Sequence, residues 1–201
     1  PGALMRRGFD LKPQRLSLPA VVGAIIENLE RSAQEKGIAL EARFAAGFPE
    51  IDAQWSVNEK VAFEVALGAA TAGARSLFAC KHVGLNVAMD PLMTASYTGV
   101  LAGFVIVVCD DPGMHSSQNE QDTRWVALYS KMPMLEPASP AEAKEFVKEA
   151  FAMSERFDTP VILRMTTRIS HTKENVTVGD RKVPERPVFE RNAAKYVMVP
   201  G

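Results

Sequence analysis

Residues 76–113 read SLFACKHVGLNVAMDPLMTASYTGVLAGFVIVVCDDPG, and this stretch decides the fold class. Ser76 to Cys80 and Phe104 to Cys109 are continuous apolar runs, which are typical of buried parallel strands. Gly103 precedes the second run and Asp-Asp-Pro-Gly follows it. Asn86 to Tyr97, between the runs, is predicted to be a helix. A strand, a helix and a strand at this spacing predict a right-handed crossover within a parallel sheet.

The same alternation continues outward in both directions. The remaining predicted elements are helices from Ser17 to Leu29, Ser56 to Ala72, Gln118 to Ser130 and from Ser139 onward, and strands Ile38 to Phe44, Met132 to Leu135 and Val161 to Met165. Ser139-Pro140-Ala141-Glu142 is a capping box with proline at the first helical position. The predicted core stripe of that helix is Phe146, Ala150, Met153 and Phe157. We therefore expect a three-layer, doubly wound α/β fold with a mostly parallel sheet and helices on both faces.

The chain is expected to have one domain with two appendages. Residues 1–16 are basic and irregular, and residues 17–170 carry the alternating pattern. From residue 171 to 201, charges alternate with prolines, which is typical of a linker to a neighbouring domain or a tail laid over a partner. At 201 residues, the chain is long enough for one ordinary domain with a sizeable core.

Composition excludes several functions. The formal net charge of -1 gives no basic footprint, so neither nucleic acid nor an anionic membrane is favoured as a partner. No apolar run approaches the roughly 20 residues that span a bilayer. Two cysteines, Cys80 and Cys109, are too few for an iron–sulfur cluster or a cysteine-rich zinc site within this chain. A cytoplasmic protein without a metal site of its own is expected.

Glu59 supports two interpretations. Ser56-Val57-Asn58-Glu59 matches a capping box, in which the glutamate reaches back to the amide of the cap residue. Alternatively, Glu59 opens a helix whose other face is almost wholly apolar, and a carboxyl group there could share a proton with a bound heterocycle. The spacing alone leaves both open.

Other candidates follow the two strands of the opening stretch, where ligands of open α/β sheets bind. His82 could orient a substrate carboxylate or shuttle a proton, or it could be a structural histidine held under a loop. His115, Gln118 and Asn119 are candidate contacts to cofactor or substrate.

Neighbouring polar residues have simpler explanations. Ser116 or Ser117 could cap the next helix, and no nucleophile-elbow pattern surrounds them. Asp110-Asp111 fits a turn better than a magnesium site. An ordinary surface ion pair is the expected role of Arg168.

Long consecutive motifs carry a resemblance to a known family. They are Trp55-Ser-Val-Asn-Glu-Lys-Val-Ala, Ala69-Ala-Thr-Ala-Gly-Ala-Arg-Ser, Lys81-His-Val-Gly-Leu-Asn-Val-Ala-Met-Asp-Pro-Leu-Met, Asp110-Asp-Pro-Gly-Met-His-Ser-Ser-Gln-Asn-Glu-Gln-Asp-Thr-Arg, Arg156-Phe-Asp-Thr-Pro-Val, Thr166-Thr-Arg-Ile-Ser-His and Ala194-Lys-Tyr-Val-Met-Val-Pro. They resemble the amino-terminal, pyrimidine-binding (Pyr) domain of the α subunit of indolepyruvate ferredoxin oxidoreductases, within the pyruvate:ferredoxin oxidoreductase superfamily. The resemblance covers about three quarters of the chain.

The resemblance implies that Glu59 hydrogen-bonds the aminopyrimidine of thiamine diphosphate and promotes formation of the cofactor's nucleophilic form. His82 and Asn119 would contact the cofactor, and His82, His115 and Gln118 the substrate. The implied reaction is oxidative decarboxylation of an aryl 2-oxoacid such as indolepyruvate to acyl-CoA, with electrons passing to ferredoxin.

The resemblance also implies an oligomeric complex in which another domain or subunit binds the diphosphate with Mg²⁺ and another holds the iron–sulfur clusters. The family's Tyr-Pro-Gly-Thr-Pro segment, whose threonine is expected to contact the 2-oxoacid, has no clear counterpart here, because the chain reads Pro1-Gly2-Ala3-Leu4 at that point. The alternatives are a thiamine-dependent decarboxylase or lyase built on the same domain, and a non-catalytic interaction module that keeps the fold.

Overall fold

The computed structural model describes residues 14–17, 50–180 and 184–197. The chain forms two compact units, residues 1–56 and 57–201. In the first unit, β1 (Gln14–Ser17) pairs antiparallel with β2 (Glu50–Ala53). β1 includes the last residues of the segment predicted to be an irregular arm. The predicted helix to Leu29 and the predicted strand Ile38 to Phe44 lie outside the described residues.

The second unit contains a four-stranded sheet. Its strands are β3 (Ser76–Lys81), β4 (Phe104–Asp110), β5 (Met134–Leu135) and β6 (Val161–Thr166). Their order is β3-β4-β6-β5, and every neighbouring pair is parallel. The apolar runs therefore form parallel strands, as the sequence predicts, and β4 is largely buried. The prediction that β3 is buried is wrong, because β3 is an edge strand of the described sheet and Leu77 is 47% exposed. The carboxyl ends of β3, β4 and β6 share one edge of the sheet.

Helices cover both faces of this sheet. They are α1 (Glu59–Thr71), α2 (His82–Val87), α3 (Met89–Thr98), α4 (Thr123–Ser130), α5 (Pro140–Phe157), α6 (Thr167–His171) and α7 (Ala193–Tyr196). In one core cluster, the four helices α1, α2, α3 and α4 pack against one face of the sheet. In a second cluster, α5 packs against the opposite face. The three-layer α/β architecture is confirmed.

Phe63 lies at the centre of the larger core cluster. Its side chain is fully buried, and its ring meets those of Phe78 and Phe104 edge-on, with centroids 5.3 and 5.1 Å apart. Edge-to-face contacts of this kind add to the hydrophobic gain from burial. Phe63 thus fixes α1 on β3 and β4, and α1 in turn carries Glu59 at its first position.

Two helix boundaries differ from the prediction. The predicted helix Asn86 to Tyr97 is two helices, because α2 begins directly after β3 and the path breaks at Ala88 before α3. Pro91, in the first turn of α3, has no amide hydrogen to donate to the preceding turn. The predicted helix from Gln118 begins only at Thr123, since the Asp122 side chain caps it by accepting the Arg124 amide at 3.0 Å.

The helix after Ser139 is nearly as predicted. The Ser139 hydroxyl accepts the Glu142 amide at 3.1 Å, and the Glu142 carboxylate accepts the amide of Ala138, one residue before the cap. The prediction that Phe157 belongs to the core stripe is wrong, because its side chain is 58% exposed. The guanidinium of Arg156 lies 5.1 Å from the centre of its ring instead.

Between α6 and the single turn of α7, residues 172–180 and 184–192 form neither helix nor strand. The Lys195 ammonium pairs with the Asp158 carboxylate at 2.7 Å and donates to the Val100 carbonyl at 3.0 Å. These bonds attach the 184–197 segment to the end of α5. No helix in the described ranges is long and apolar enough to cross a bilayer.

Candidate functional site

The start of α1 excludes one of the two interpretations of Glu59, the capping box. Asn58, in extended conformation, is the cap residue, and its side-chain oxygen accepts the Val61 amide at 3.0 Å. Asparagine is as good a cap as serine, and capping from position 58 makes Glu59 the first helical residue. A glutamate there is one position past the cap and two positions short of the capping-box site. The predicted capping box at Ser56 is therefore wrong.

The Glu59 side chain instead lies against Gly84 in α2. A Cβ built on Gly84 would come within 2.6 Å of Glu59 Cγ and 2.8 Å of its Oε1. Only a residue without a side chain permits this approach. Among the described residues, no group donates a hydrogen bond to the Glu59 carboxylate, so its oxygens remain available as acceptors. The sequence analysis missed Gly84, and its signal was a glycine inside a helical segment directly after a strand.

His82 is buried at the first position of α2, with 1% of its surface exposed. Its Nε2 lies 3.0 Å from the carbonyl oxygen of Asn119. A carbonyl only accepts, so Nε2 carries the proton and the neutral ring presents Nδ1 as an acceptor. Nδ1 is buried and has no hydrogen-bond partner among the described residues. A buried polar atom without a partner is costly in a protein interior, so Nδ1 suits a ligand donor.

The loop between β4 and α4 carries the other three predicted site residues. Its first residue, Asp111, holds it in place: one carboxylate oxygen accepts the Ser116 amide at 2.8 Å, and the other accepts the Thr167 hydroxyl at 2.7 Å. The Ser116 amide, followed by the Thr167 hydroxyl, holds the pKa of Asp111 well below its usual range. Lys81 donates to the carbonyl and hydroxyl oxygens of Ser116 at 3.2 and 3.0 Å.

This geometry brings some of the candidates together and separates others. His82 and Asn119 are in contact through the backbone of the loop. Gln118 is exposed and forms no side-chain hydrogen bond within the described ranges. His115 instead lines a cavity together with Thr166, the last residue of β6. The prediction that Ser116 or Ser117 caps the following helix is wrong, since Asp122 caps it.

Asp110 is a structural carboxylate. It accepts the Thr123 amide at 2.9 Å and also the Thr123 hydroxyl, and it pairs with the buried Arg164 guanidinium at 2.6 Å. Arg164 extends the network to Glu136. Both Asp110 and Asp111 are thus engaged by protein donors. Among the described residues, no three His, Cys, Asp or Glu side chains are grouped so that they could hold a metal ion.

Beyond the loop, a cavity of about 420 Å³ opens at the carboxyl ends of β4 and β6. Its lining residues are Pro112, His115, Thr166, Thr167, Arg168 and His171. The prediction that Arg168 forms an ordinary surface ion pair is not supported, because none of the ion pairs among the described residues includes it. Sequence analysis singled out His115 and Arg168 separately and did not place them in one cavity.

The two cysteines are free and half-buried on adjacent strands. Burial raises the pKa of the Cys80 thiol to about 12, and burial also raises that of Cys109. Because the thiolate is the reactive form of cysteine, these side chains are unreactive near neutral pH.

The chain is similar in sequence to a known protein family and to several known proteins. A family described as "Pyruvate flavodoxin/ferredoxin oxidoreductase, thiamine diP-bdg" matches residues 38–200. The chain is 52% identical over 154 residues to indolepyruvate oxidoreductase subunit IorA of Pyrococcus horikoshii, covering 74% of this chain and 24% of that subunit. It is 48% identical over 163 residues to the IorA subunit of Archaeoglobus fulgidus, covering 79% and 26%. The chain thus spans about a quarter of the length of the curated relatives it matches.

Among solved structures, the chain is similar to 2-oxoglutarate:ferredoxin oxidoreductase from Magnetococcus marinus, solved with 2-oxoglutarate, coenzyme A and succinyl-CoA bound. The TM-score is 0.42 at 18% identity, covering 75% of this chain and 25% of that one. At this level the similarity adds nothing to the family match.

Proposed function

Since the chain belongs to the pyruvate flavodoxin/ferredoxin oxidoreductase, thiamine-diphosphate-binding family, we propose that residues 17–170 form the pyrimidine-binding domain of a thiamine-diphosphate-dependent 2-oxoacid:ferredoxin oxidoreductase. The substrate class we propose is aryl 2-oxoacids such as indolepyruvate, as the names of its IorA relatives suggest. One observation carries the proposal: the Glu59 carboxylate does not cap its own helix and lies against Gly84 of α2.

The residues around Glu59 fit the pyrimidine half of the cofactor. Glu59 would accept a hydrogen bond from a ring nitrogen and hold the proton there. His82 would offer the Nδ1 lone pair to a donor on the cofactor or substrate, because its Nε2–H is committed to Asn119. Gly84, which has no side chain, lets the Glu59 carboxyl group lie directly against the backbone of α2.

When bound, thiamine diphosphate supplies a nucleophilic carbon and an electron sink for decarboxylation. The role of this chain is to position the ring and control one proton. Asn119 would contribute through the bond that holds its loop to His82. Gln118 and His115, on the same loop, are the proposed substrate contacts.

The remaining parts of the proposed reaction belong outside the described residues. Mg²⁺ and the diphosphate would bind to a second domain or subunit, and iron–sulfur clusters in a further one would pass electrons to ferredoxin. Coenzyme A would take up the acyl group. We propose that residues 171–201 connect the domain to such neighbours within an oligomeric, cytoplasmic complex.

The test of this function is the Glu59→Gln variant in the purified complex, supplied with indolepyruvate, coenzyme A, thiamine diphosphate and ferredoxin. Glutamine keeps the shape of the side chain but cannot hold the proton, so acyl-CoA formation should fall by about 10²- to 10⁴-fold. Glu64→Gln is the matched control, because Glu64 lies on the same helix with an exposed side chain. Turnover equal in both variants would refute the role of Glu59.

The products distinguish the proposed reaction from its rival. Acyl-CoA formed together with reduced ferredoxin identifies the oxidoreductase. Free aldehyde formed without ferredoxin reduction would instead identify a decarboxylase built on the same domain.

A further inference from the structure

The cavity beside Arg168 has a fixed frame. Asp111 accepts the Ser116 amide from the wall that carries His115, and the Thr167 hydroxyl from the wall that carries Arg168. These two hydrogen bonds connect the two walls of the cavity at the edge of the sheet. Because this buried carboxylate bonds to both walls, one through Ser116 and the other through Thr167, the gap between the walls is set by the fold.

The walls combine flat apolar surfaces with donors. The lining surface is mostly apolar, and the lining residues include Pro112 and the two histidines His115 and His171. The volume of about 420 Å³ falls within the range of small-molecule sites, roughly 300–1,000 Å³. A planar, largely apolar ligand therefore fits the walls better than a small hydrated ion.

The charges around the cavity favour an anionic group on that ligand. Arg168 has a permanently charged fork of donors suited to a carboxylate, and no carboxylate pairs with it within the described residues. Among the described residues that line the cavity, Arg168 is the one with a full charge, and none is an aspartate or glutamate. The guanidinium can also stack on an aromatic face.

We infer that this cavity binds an aromatic carboxylic acid, with the ring between His115 and His171 and the carboxylate on Arg168. The inference rests on the proposed function for the identity of the acid, an aryl 2-oxoacid or the related product. Adjacent strands lie about 4.8 Å apart, so the ends of β3 and β6 are roughly 10 Å apart. A ligand in this cavity and a pyrimidine ring beside Glu59 would therefore be neighbours without overlapping.

Binding of indole-3-acetate to the full chain, in the assembly with which it purifies, tests the site by titration calorimetry without cofactor or turnover. Arg168→Gln keeps the stem and removes the charge, so the Kd should rise about ten-fold or more. Arg168→Lys should bind more tightly than Arg168→Gln, because lysine keeps the positive charge but lacks the paired N–H donors of the guanidinium. Arg156→Gln is the control, since Arg156 is exposed on α5 and stacks on Phe157 away from the cavity.

Three probes define the ligand class. Indole-3-acetate should bind more tightly than indole, which lacks the carboxylate, and more tightly than acetate, which lacks the ring. The inference is overturned if Arg168→Gln and Arg156→Gln change the Kd equally, if indole binds as well as the acid, or if inorganic phosphate displaces the acid at lower concentration than acetate does. Loss of turnover in Glu59→Gln with intact indole-3-acetate binding would separate this site from the Glu59 site.

Discussion

Gly84→Ala is the most direct test of how Glu59 is positioned. The added methyl carbon would lie 2.6 Å from Glu59 Cγ, 2.8 Å from Oε1 and 3.0 Å from Cδ. Non-bonded carbon atoms prefer separations of about 3.5–4.0 Å, so the carboxyl group must move by about 1 Å. The clash is with a flexible side chain, and the fold can therefore absorb the substitution.

The expected result is a loss of activity without a loss of stability. A displacement of about 1 Å in a reacting group costs on the order of 10²-fold in rate. Replacing glycine by alanine within a helix stabilises it by roughly 0.5–1 kcal/mol, which offsets the strain, so the melting temperature should change little. Acyl-CoA formation by the complex and thermal unfolding of the same preparation measure the two effects.

Gly68→Ala is a matched control. Gly68 lies within α1, like Gly84 within α2, and a Cβ there would meet nothing within 4 Å. This substitution should raise the melting temperature slightly and leave turnover unchanged. Full activity in Gly84→Ala would refute the argument that the Glu59 carboxylate must lie against Gly84.

Phe63→Ala removes a fully buried ring that contacts Phe78 and Phe104. The free energy of unfolding, measured by urea titration, should fall by about 3–5 kcal/mol. A loss below about 1 kcal/mol would show that the ring does not anchor α1. Cys80 has its pKa raised from 9.0 to about 12, so at pH 8 the thiolate fraction falls by a factor of about 10³ on folding. Iodoacetamide should accordingly label Cys80 far more slowly in the native chain than in urea, as measured by mass spectrometry, and equal rates would contradict the burial of its thiol.

The sheet was predictable because its signal is local. Buried parallel strands need apolar side chains on both faces, and few other structures use such short continuous runs. β4 and β6 therefore match their predicted positions to within one residue. The strand β5 was predicted twice as long as it is, because at the sheet edge it pairs with β6 alone over Met134 and Leu135.

Helix starts were harder to predict because polar residues compete for the same role. At α1, Ser56 and Asn58 are both acceptable caps, and at α4, Ser116, Ser117 and Asp122 are. The preference of a residue type for the N-cap position does not show which of several acceptable residues caps the helix. Tertiary bonds select between them, as when Asp111 binds the Ser116 amide and thereby keeps this residue in the loop.

The site itself depends on these choices of cap. A shift of the cap by two residues, from Ser56 to Asn58, changes Glu59 from a group that closes its own helix into one with free acceptor oxygens, although the local sequence is compatible with both states. The Asn58 cap excludes the first state, and Glu59 lies instead against Gly84, which is 25 positions later in the chain and belongs to α2. Similarly, Asp111 joins His115 and Arg168 into one cavity through residues 56 positions apart. Single positions such as Glu59, His82 and Arg168 can be selected from sequence as candidates, but the contacts that place them near the same sheet edge are visible only in the structure.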